Sequence, residues 1–357
     1  DSYNFEDRKL VEIVKATYFN PKIVVIDETT TALSQEGREE LYKHMERIRK
    51  SGNTVIFISH DLPEIIEKSD TITILRDGVY IDTVKSKDVN ENDLKKLMVG
   101  REVTGDYYRS DYGEKISDEV VLSAKHVTVP GLIEDVSFDL HKGEILGFGG
   151  LSESGMHEIG KAIFGASYDR EGTVELADGT QINDIPTAIK HSIAYTSKDR
   201  DNESVVLNQS IGDNICLPSL DELSGPAHLI SDKKKKDFAN KFAKQMSVKM
   251  VDVNQFVSNL SGGNKQKVVL ARWIGKDSDI VVLDSPTRGI DIKVKQDIYQ
   301  LMNQMRKNGK SIIMISEELM ELIGMCDRIM IMKDGKISGE LERDQNLDEN
   351  GLITMMV

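Results

Sequence analysis

The feature that most constrains this sequence is an internal repeat at a spacing of 257 residues. The register holds without a gap from about residue 4 to residue 78, and it aligns Asp27 with Asp284, His60 with Glu317, Asp70 with Asp327, and Gly78 with Gly335. Such a repeat predicts one folding unit present twice. The second copy begins near Val120, whereas the chain opens at the equivalent of position 258. We therefore expect the chain to be the C-terminal part of a longer polypeptide, with its first copy incomplete.

Composition and charge exclude several classes of protein. The formal net charge of −14 over 357 residues argues against nucleic acid as the main partner. The longest apolar runs are strand-sized, well short of the ~20 residues that span a bilayer. If the protein acts at a membrane, we expect another chain to supply the spanning part. Cys216 and Cys326 are isolated from each other and from any His cluster, which indicates neither a disulfide framework nor a zinc site. A reducing cytosol fits this pattern, and no secretory segment is visible.

Both copies alternate short apolar runs with amphipathic segments. The runs Ile23–Asp27 and Ile280–Asp284 each end in an acid. Helical spacing follows in both copies, through Leu41, Met45 and Ile48 in the first and Ile298, Met302 and Met305 in the second. A second apolar run and a hairpin-like segment, turning at Asp77–Gly78 or Asp334–Gly335, complete each copy. Strands buried on both faces that alternate with such helices predict a parallel α/β sheet.

Two other segments interrupt this alternation. Residues 101–117 lack hydrophobic periodicity and are predicted to link a first domain at 1–100 to a second at 118–357. Residues from about 204 to 275 are mainly helical in pattern and lie between sheet-like regions. We therefore expect a helical subdomain inside the second domain.

The strongest local motif is Leu260-Ser261-Gly262-Gly263-Asn264-Lys265-Gln266, whose serine precedes Asp284 by 23 residues. A serine and two glycines ahead of good helix formers predict a helix N-terminus whose free N–H groups and positive dipole end suit a phosphate. Alone, Ser-Gly-Gly is a common turn and helix cap. The strand that ends at Asp284, the run Pro286–Asp291 and the repeat favour the phosphate site.

With these motifs in place, the whole chain resembles the ATP-binding subunits of ATP-binding-cassette (ABC) transporters. In that resemblance residues 260–266 are the signature motif, Ile23–Glu28 and Val281–Asp284 are the Walker B strands, and His60 is the switch histidine. The resemblance implies tandem cassette domains of the P-loop NTPase type. Each is expected to have a mixed or parallel sheet core, a helical subdomain and a small antiparallel β region.

Two cassettes in one chain, with Lys198-Asp199-Arg200 before Val205-Val206-Leu207 and with Pro286–Asp291, look like importers of simple sugars of the ribose, galactose and xylose type. The implied function is to couple ATP binding and hydrolysis to sugar import through a separate membrane permease. The implied location is the cytoplasmic face of the cell membrane, as a peripheral protein. Its implied partners are the permease subunits and, indirectly, a solute-binding protein, with no nucleic acid.

The resemblance further implies that the two cassettes of the full-length chain pair head to tail around ATP. One pocket would take Asp27, Glu28 and His60 from the first copy and Ser261–Asn264 from the second. Asp27 suits Mg²⁺, directly or through water, because a hard cation takes oxygen ligands. Glu28 is expected to activate the attacking water, and His60 to contact the γ-phosphate. ATP and Mg²⁺ are thus the implied cofactors.

The phosphate loop of the other pocket departs from the family pattern. It follows the strand Glu144–Phe148, precedes a helix that contains Ile159 and Ile163, and would bind phosphate through Gly150, Ser152, Ser154 and Gly155. However, Met156 stands where the phosphate-binding Lys belongs, and His157 stands where the Mg²⁺-binding Ser or Thr belongs.

Further substitutions fall around the same pocket. Asp284 retains the Walker B acid, but Ser285 replaces the catalytic Glu, Glu317 replaces the switch His, and Lys198 stands in place of a Gln or Glu. The signature position of the first copy, residues 3–7, carries Phe and Glu instead of two glycines. The sequence therefore predicts one active and one degenerate ATP site.

Two other functions stay open at this level. A soluble double-cassette factor acting on ribosomes or nucleic acid would be expected to keep two sound sites and a basic linker, and the net charge of −14 speaks against it. A catalytically inert nucleotide-binding or regulatory fragment is the other alternative, because the first phosphate loop lies outside this sequence. We expect this chain alone to be inactive as an ATPase.

Overall fold

The chain divides into two compact units. The structure is a computed structural model that describes residues 5–19, 21–27, 29–30, 33, 35–59, 61–76, 79–91, 93–94, 97, 107–111, 115–151, 153–225, 229–290, 292–344 and 347–356. Unit 1 comprises residues 1–105 with 291–293, and unit 2 comprises residues 106–290 with 294–357.

Within the described residues, unit 1 consists mainly of two pairs of strands and three α-helices. In chain order its elements are α1 (Phe5–Thr17), β1 (Ile23–Asp27), α2 (Gln35–Lys50), β2 (Thr54–Ile58), α3 (Leu62–Lys68), β3 (Thr71–Arg76) and β4 (Val79–Lys85). Strands β1 and β2 pair in parallel, whereas β3 and β4 form an antiparallel hairpin whose turn lies outside the described residues. The parallel pairing and the hairpin predicted for the first copy are confirmed.

The core of unit 1 lies on one face of β1. Leu41 and Met45 of α2 pack with Val24 and Ile26, while the alternate strand residues Ile23 and Val25 are exposed. Successive side chains of a strand point to opposite faces, so this pattern means that only one face is covered. The prediction that β1 is buried on both faces is therefore wrong within unit 1.

Unit 2 is larger and contains the remaining helices and strands. They are β5 (Val120–Val129), β6 (Ile133–His141), β7 (Ile145–Gly150), α4 (Met156–Ile163), β8 (Glu171–Leu176), α5 (Ile185–Lys190), β9 (Ile193–Thr196), α6 (Ile211–Cys216), α7 (Leu220–Leu223), α8 (Asp232–Gln245), α9 (Gly262–Lys276), β10 (Ile280–Asp284), α10 (Ile292–Lys307), β11 (Ser311–Ile315), α11 (Leu319–Met325), β12 (Arg328–Lys333), β13 (Lys336–Glu342) and α12 (Glu349–Met356).

A six-stranded sheet forms the centre of unit 2, in the order β13-β12-β7-β11-β10-β9. Its inner neighbours pair in parallel, and β13 pairs with β12 in the predicted antiparallel hairpin. Every residue of β7, β10 and β11 is buried, so the two-faced burial expected from the sequence is confirmed here. A separate antiparallel sheet has the order β6-β5-β8. The mixed core with a small antiparallel region matches the predicted fold class.

The strand next to β11 accounts for the contrast between the two copies. In unit 2, β7 lies between β11 and β12. In unit 1, a groove of about 940 Å³ lies between the equivalent strands β2 and β3, and Ile56 and Ile58 line it. Ile56 is 47% exposed, whereas its counterpart Ile313 is fully buried. Among the described residues, a central strand lies beside only one of the two isoleucines, so the same residue type has different surroundings in the two copies.

The second half of the predicted linker is integrated into unit 2. Tyr107 packs edge-on against Tyr108 and Tyr299, the rings of Tyr108 and Tyr299 are tilted at 45°, and Arg109 is buried. Arg109 binds Asp327 and the main-chain oxygen of Met325. The lack of periodicity in the sequence hid the contacts with Tyr299, Met325 and Asp327, because these residues are distant in the chain.

Candidate functional site

The predicted catalytic residues follow the ends of β1 and β2. Asp27 is the exposed last residue of β1, opposite Ile58 at the end of β2. Thr29 Oγ1 donates to the main-chain oxygen of Asp27 at 3.2 Å. Glu28 and His60, predicted to be catalytic, lie outside the described residues. The parallel pairing brings the two strand ends that precede them to one edge of the sheet.

A buried carboxylate connects the loops that follow these two strands. Glu64, on α3, accepts hydrogen bonds from Thr30 Oγ1 at 3.1 Å, from Ser59 Oγ at 2.7 Å and from the Tyr42 hydroxyl on α2. Thr30 stands two residues after Glu28, and Ser59 directly precedes His60. Glu64 therefore links the segment that follows Glu28 to the residue that precedes His60.

Unit 2 repeats this arrangement at the same spacing of 257 residues. Glu321 is buried and accepts from Thr287 Oγ1 at 2.6 Å, from Ser316 Oγ at 2.9 Å and from the Tyr299 hydroxyl at 2.5 Å. Lys295 Nζ lies 3.3 Å from the same carboxylate. Sequence reasoning missed both carboxylates. The repeat offered a signal, because Thr, Tyr, Ser and Glu are unchanged between the copies while the neighbouring catalytic positions differ.

The phosphate-loop position of unit 2 keeps the strand–loop–helix form but loses the lysine. Strand β7 runs on through Gly150, two residues past its predicted end at Phe148. Gly155 caps α4 with φ 87°, and a Cβ there would lie 2.4 Å from the carbonyl oxygen of Leu132. Met156, where the Lys would stand, is fully buried in the core. Ser152 lies outside the described residues, and Ser154 is buried with no hydrogen-bond partner for its hydroxyl among the residues described.

Four ionisable side chains meet beside this loop, from α4, the end of β10 and the loops that follow β9 and β11. His157 Nδ1 lies 2.7 Å from Asp284 Oδ1, and its Nε2 lies 3.3 Å from Glu317 Oε1. Lys198 Nζ donates to Glu317 Oε1 at 2.7 Å and lies 3.0 Å from His157 Nε2. Asp284 is 1% exposed and His157 is 14% exposed on their side chains. Residues predicted from separate motifs are thus brought into one ion network.

The hydrogen bonds of this network change the pKa of His157. Burial by itself lowers the pKa of His157, but its hydrogen bonds to Asp284 and Glu317 outweigh that effect. The pKa of His157 is therefore raised above its ordinary value, although the nearby Lys198 opposes the change.

The position of the catalytic glutamate is chemically altered in unit 2. Ser285 adopts φ 48°, a left-handed conformation uncommon for a residue with a side chain, and its Oγ donates to Asp284 Oδ1 at 3.2 Å. A hydroxyl that donates to a carboxylate offers no base for activating water. Ser285, which the sequence predicts to silence this site, thus uses its hydroxyl hydrogen in a bond to Asp284.

The signature residues lie at the start of the long helix α9. Ser261 is the exposed N-cap residue. The sequence predicted the two glycines ahead of the helix, whereas in the structure they lie inside its first turn. Asn264 Nδ2 donates to Ser261 Oγ at 2.9 Å, and Asn264 Oδ1 accepts from the backbone N–H of Lys249 at 2.7 Å. A Cβ on Gly262 would lie 3.3 Å from Arg200 Nη2, so the glycine allows the Arg200 side chain to lie close to the start of α9.

The described residues also bear on metals and membranes. In that part of the chain, no group of three or more His, Cys, Asp or Glu side chains is placed to hold a metal ion. No helix among the described residues combines the length and apolar character needed to cross a bilayer.

Comparison with known proteins gives consistent matches. The family model for the ABC transporter domain matches residues 133–288. The chain is 41% identical to a ribose import ATP-binding protein of Lactococcus lactis subsp. lactis, over 96% of this chain and 69% of that protein. It is 42% identical to a xylose import ATP-binding protein of Thermoanaerobacter pseudethanolicus, over 95% of this chain and 68% of that protein.

Solved structures show the same fold at low sequence identity. A dimeric bacterial ABC transporter cassette matches with a TM-score of 0.55 and 21% identity, covering 62% of this chain and 99% of that one. A nucleotide-free cassette from an ABC transporter matches with a TM-score of 0.56 and 17% identity, covering 67% of this chain and 99% of that one.

The fold and the altered phosphate loop define a nucleotide-binding cassette of the P-loop NTPase class. At this level of identity and coverage, the chain belongs to the ABC transporter family, as an ATP-binding subunit of the kind found in sugar importers. The resemblance recognised in the sequence is thereby confirmed.

Proposed function

We propose that this protein couples ATP binding and hydrolysis to the import of a simple sugar through a separate membrane permease, on the cytoplasmic face of the membrane. The observation that carries the proposal is identity of about two residues in five, over nearly the whole chain, to relatives named as ribose and xylose import ATP-binding proteins. A solute-binding protein would be an indirect partner.

We also propose that only one of two composite ATP sites hydrolyses ATP. The active site would use Asp27 for Mg²⁺, Glu28 for activating water and His60 for the γ-phosphate, with the signature residues Ser261–Asn264 on its other side. Support comes from the exposed position of Asp27 at the end of β1. It also comes from the two half-buried glycines in the first turn of α9, where backbone N–H groups suit a phosphate.

The second site would be degenerate. Support comes from the buried Met156, from Ser285 in the position of the base, and from the ion network around His157. Loss of a positioned base typically lowers a rate by ~10²–10⁴-fold, so this site would contribute little turnover. Under this proposal the domain assignment is a first cassette within residues 1–100 and a degenerate second cassette within 118–357.

The test is ATPase activity and sugar uptake by the complete protein reconstituted with its permease in proteoliposomes. Glu28→Gln should abolish turnover, and the matched Ser285→Ala should leave it nearly unchanged. Equal losses from the two variants would contradict the asymmetric model. Ribose, xylose and galactose added in turn would identify the sugar that stimulates ATPase activity, and no response to any sugar would refute the import assignment.

A further inference from the structure

The ion network beside the phosphate loop of unit 2 occupies the place where a divalent cation would be needed. His157 follows Met156 at the start of α4, in the position that the family resemblance gives to a hydroxyl ligand of Mg²⁺. Asp284 ends β10, in the position equivalent to Asp27. These two residues contact each other directly, at 2.7 Å between Nδ1 and Oδ1.

Both nitrogens of the His157 ring are engaged. Nδ1 faces Asp284, and Nε2 faces Glu317 at 3.3 Å and Lys198 Nζ at 3.0 Å. No ring nitrogen is left to bind a metal. Mg²⁺ requires near-octahedral oxygen ligands at about 2.0–2.1 Å, whereas the groups that face Asp284 Oδ1 here are an imidazole nitrogen and the hydroxyl of Ser285.

Each carboxylate of the network already has a nitrogen partner. The carboxylates of Asp284 and Glu317 face the imidazole of His157 and the ammonium of Lys198. A divalent cation added at this point would approach the ammonium of Lys198 and would compete with the His157 ring for Asp284, whose side chain is 1% exposed. The donor set and its charge therefore do not fit Mg²⁺.

We propose that the nucleotide pocket of unit 2 excludes Mg²⁺, with His157 and Lys198 in the place of the metal. The two side chains join α4, the end of β10 and the loops after β9 and β11. In a working cassette, Mg²⁺ and the γ-phosphate link the equivalent elements. Any nucleotide in this pocket binds as the metal-free anion. The inference rests on the proposed function only for the identity of the pocket, because every contact lies within unit 2.

The experiment counts bound Mn²⁺, a paramagnetic substitute for Mg²⁺, by electron paramagnetic resonance of the complete protein with a non-hydrolysable ATP analogue. The wild type is expected to bind about one equivalent, all of it lost in Asp27→Asn. The matched variant Asp284→Asn is expected to leave the number of bound ions unchanged. His157→Ser, which restores a hydroxyl ligand and frees Asp284 from the imidazole, is expected to add a second ion.

Loss of one bound ion in Asp284→Asn would overturn the inference, and so would two ions on the wild type. The wild-type count needs no variant, so it decides the matter even if Asp284→Asn fails to fold. Retention of the ion in Asp27→Asn, with Asp284→Asn also unaffected, would instead count against the proposed working site and leave the exclusion standing. The two failures are therefore distinguishable.

Discussion

Asp327→Asn is expected to destabilise unit 2 strongly, because Asp327 is the acceptor at the centre of a buried ion network. Its side chain is 5% exposed and accepts from Arg109 Nη2 at 2.8 Å, with the Arg109 side chain 1% exposed. It also accepts from Arg306 Nε at 3.2 Å and from the backbone N–H of Ile145 at 2.8 Å. These contacts join the segment around residue 109 to α10 and to β7.

The expected loss of unfolding free energy follows from the arginine charges that Asp327 no longer neutralises. Asparagine keeps the shape of the side chain, but it loses the negative charge and directs amide N–H groups toward other donors. Removing one member of a buried ion pair costs about 3–5 kcal/mol. Asp111 still accepts from Arg109 Nε at 2.9 Å and from Arg306 Nη1 at 3.1 Å, so we expect the lower end, about 3 kcal/mol. In a unit of this size that lowers the melting temperature by about 6–12 °C.

Trp273 provides the assay, because it is the single tryptophan of the chain and is buried in the core of unit 2. Its fluorescence would follow unfolding of that unit by urea and by heat. The control is Asp279→Asn, whose side chain is 73% exposed and pairs with Lys310 at 2.9 Å. Exposed pairs contribute about 0–1 kcal/mol. A loss in Asp327→Asn no larger than in this control would refute the reasoning.

Four other outcomes are expected. Glu321→Gln should cost unit 2 about 1–3 kcal/mol in the same fluorescence assay, because one amide oxygen replaces a carboxylate that accepts from three hydroxyls. The matched Glu64→Gln should lower kcat of the transporter ATPase without changing KM, whereas Glu321→Gln should not, and equal effects on kcat would contradict this. Gly155→Ala should destabilise unit 2 by about 1–3 kcal/mol through its clash with a carbonyl oxygen, and an unchanged unfolding midpoint would contradict the tight packing of this turn. The folded pKa of His157 is raised above 6.5, so its contribution to stability is complete below pH 6.5 and is lost as pH rises through the folded value. A His157→Gln variant with the same pH slope as the wild type would count against that assignment.

Much of the fold could be predicted because the deciding information is local. The apolar runs before Asp27 and Asp284 predicted strands that pair in parallel with the next run, and both pairs are present. The turn at Asp334–Gly335 predicted the hairpin of β12 and β13, and the structure has it. The spacing of Ile159 and Ile163 predicted a helix face that is buried.

The parts that sequence reasoning missed depend on neighbours distant in the chain. Ile56 and Ile313 have the same side chain in the same repeat position. In the part of the chain that the structure describes, only Ile313 has a strand like β7 beside its own, and Ile313 is buried whereas Ile56 is exposed. The sequence identified His157 as a lost metal ligand but not as a replacement for the metal. That role requires contacts with Asp284 and Glu317, which lie 127 and 160 residues further along the chain.

The two copies agree at residues that hold the loops in place and differ at residues expected to contact ATP. The residues that hold the loops, such as Glu64 and its counterpart Glu321, are unchanged and make equivalent hydrogen bonds in both units. The residues expected to touch ATP differ, as Ser285 and Glu317 do. A cassette that had lost all function would be free to lose its loop geometry as well. Retention of that geometry around the His157 network agrees with the proposal that the pocket of unit 2 is degenerate while its loops keep a structural role.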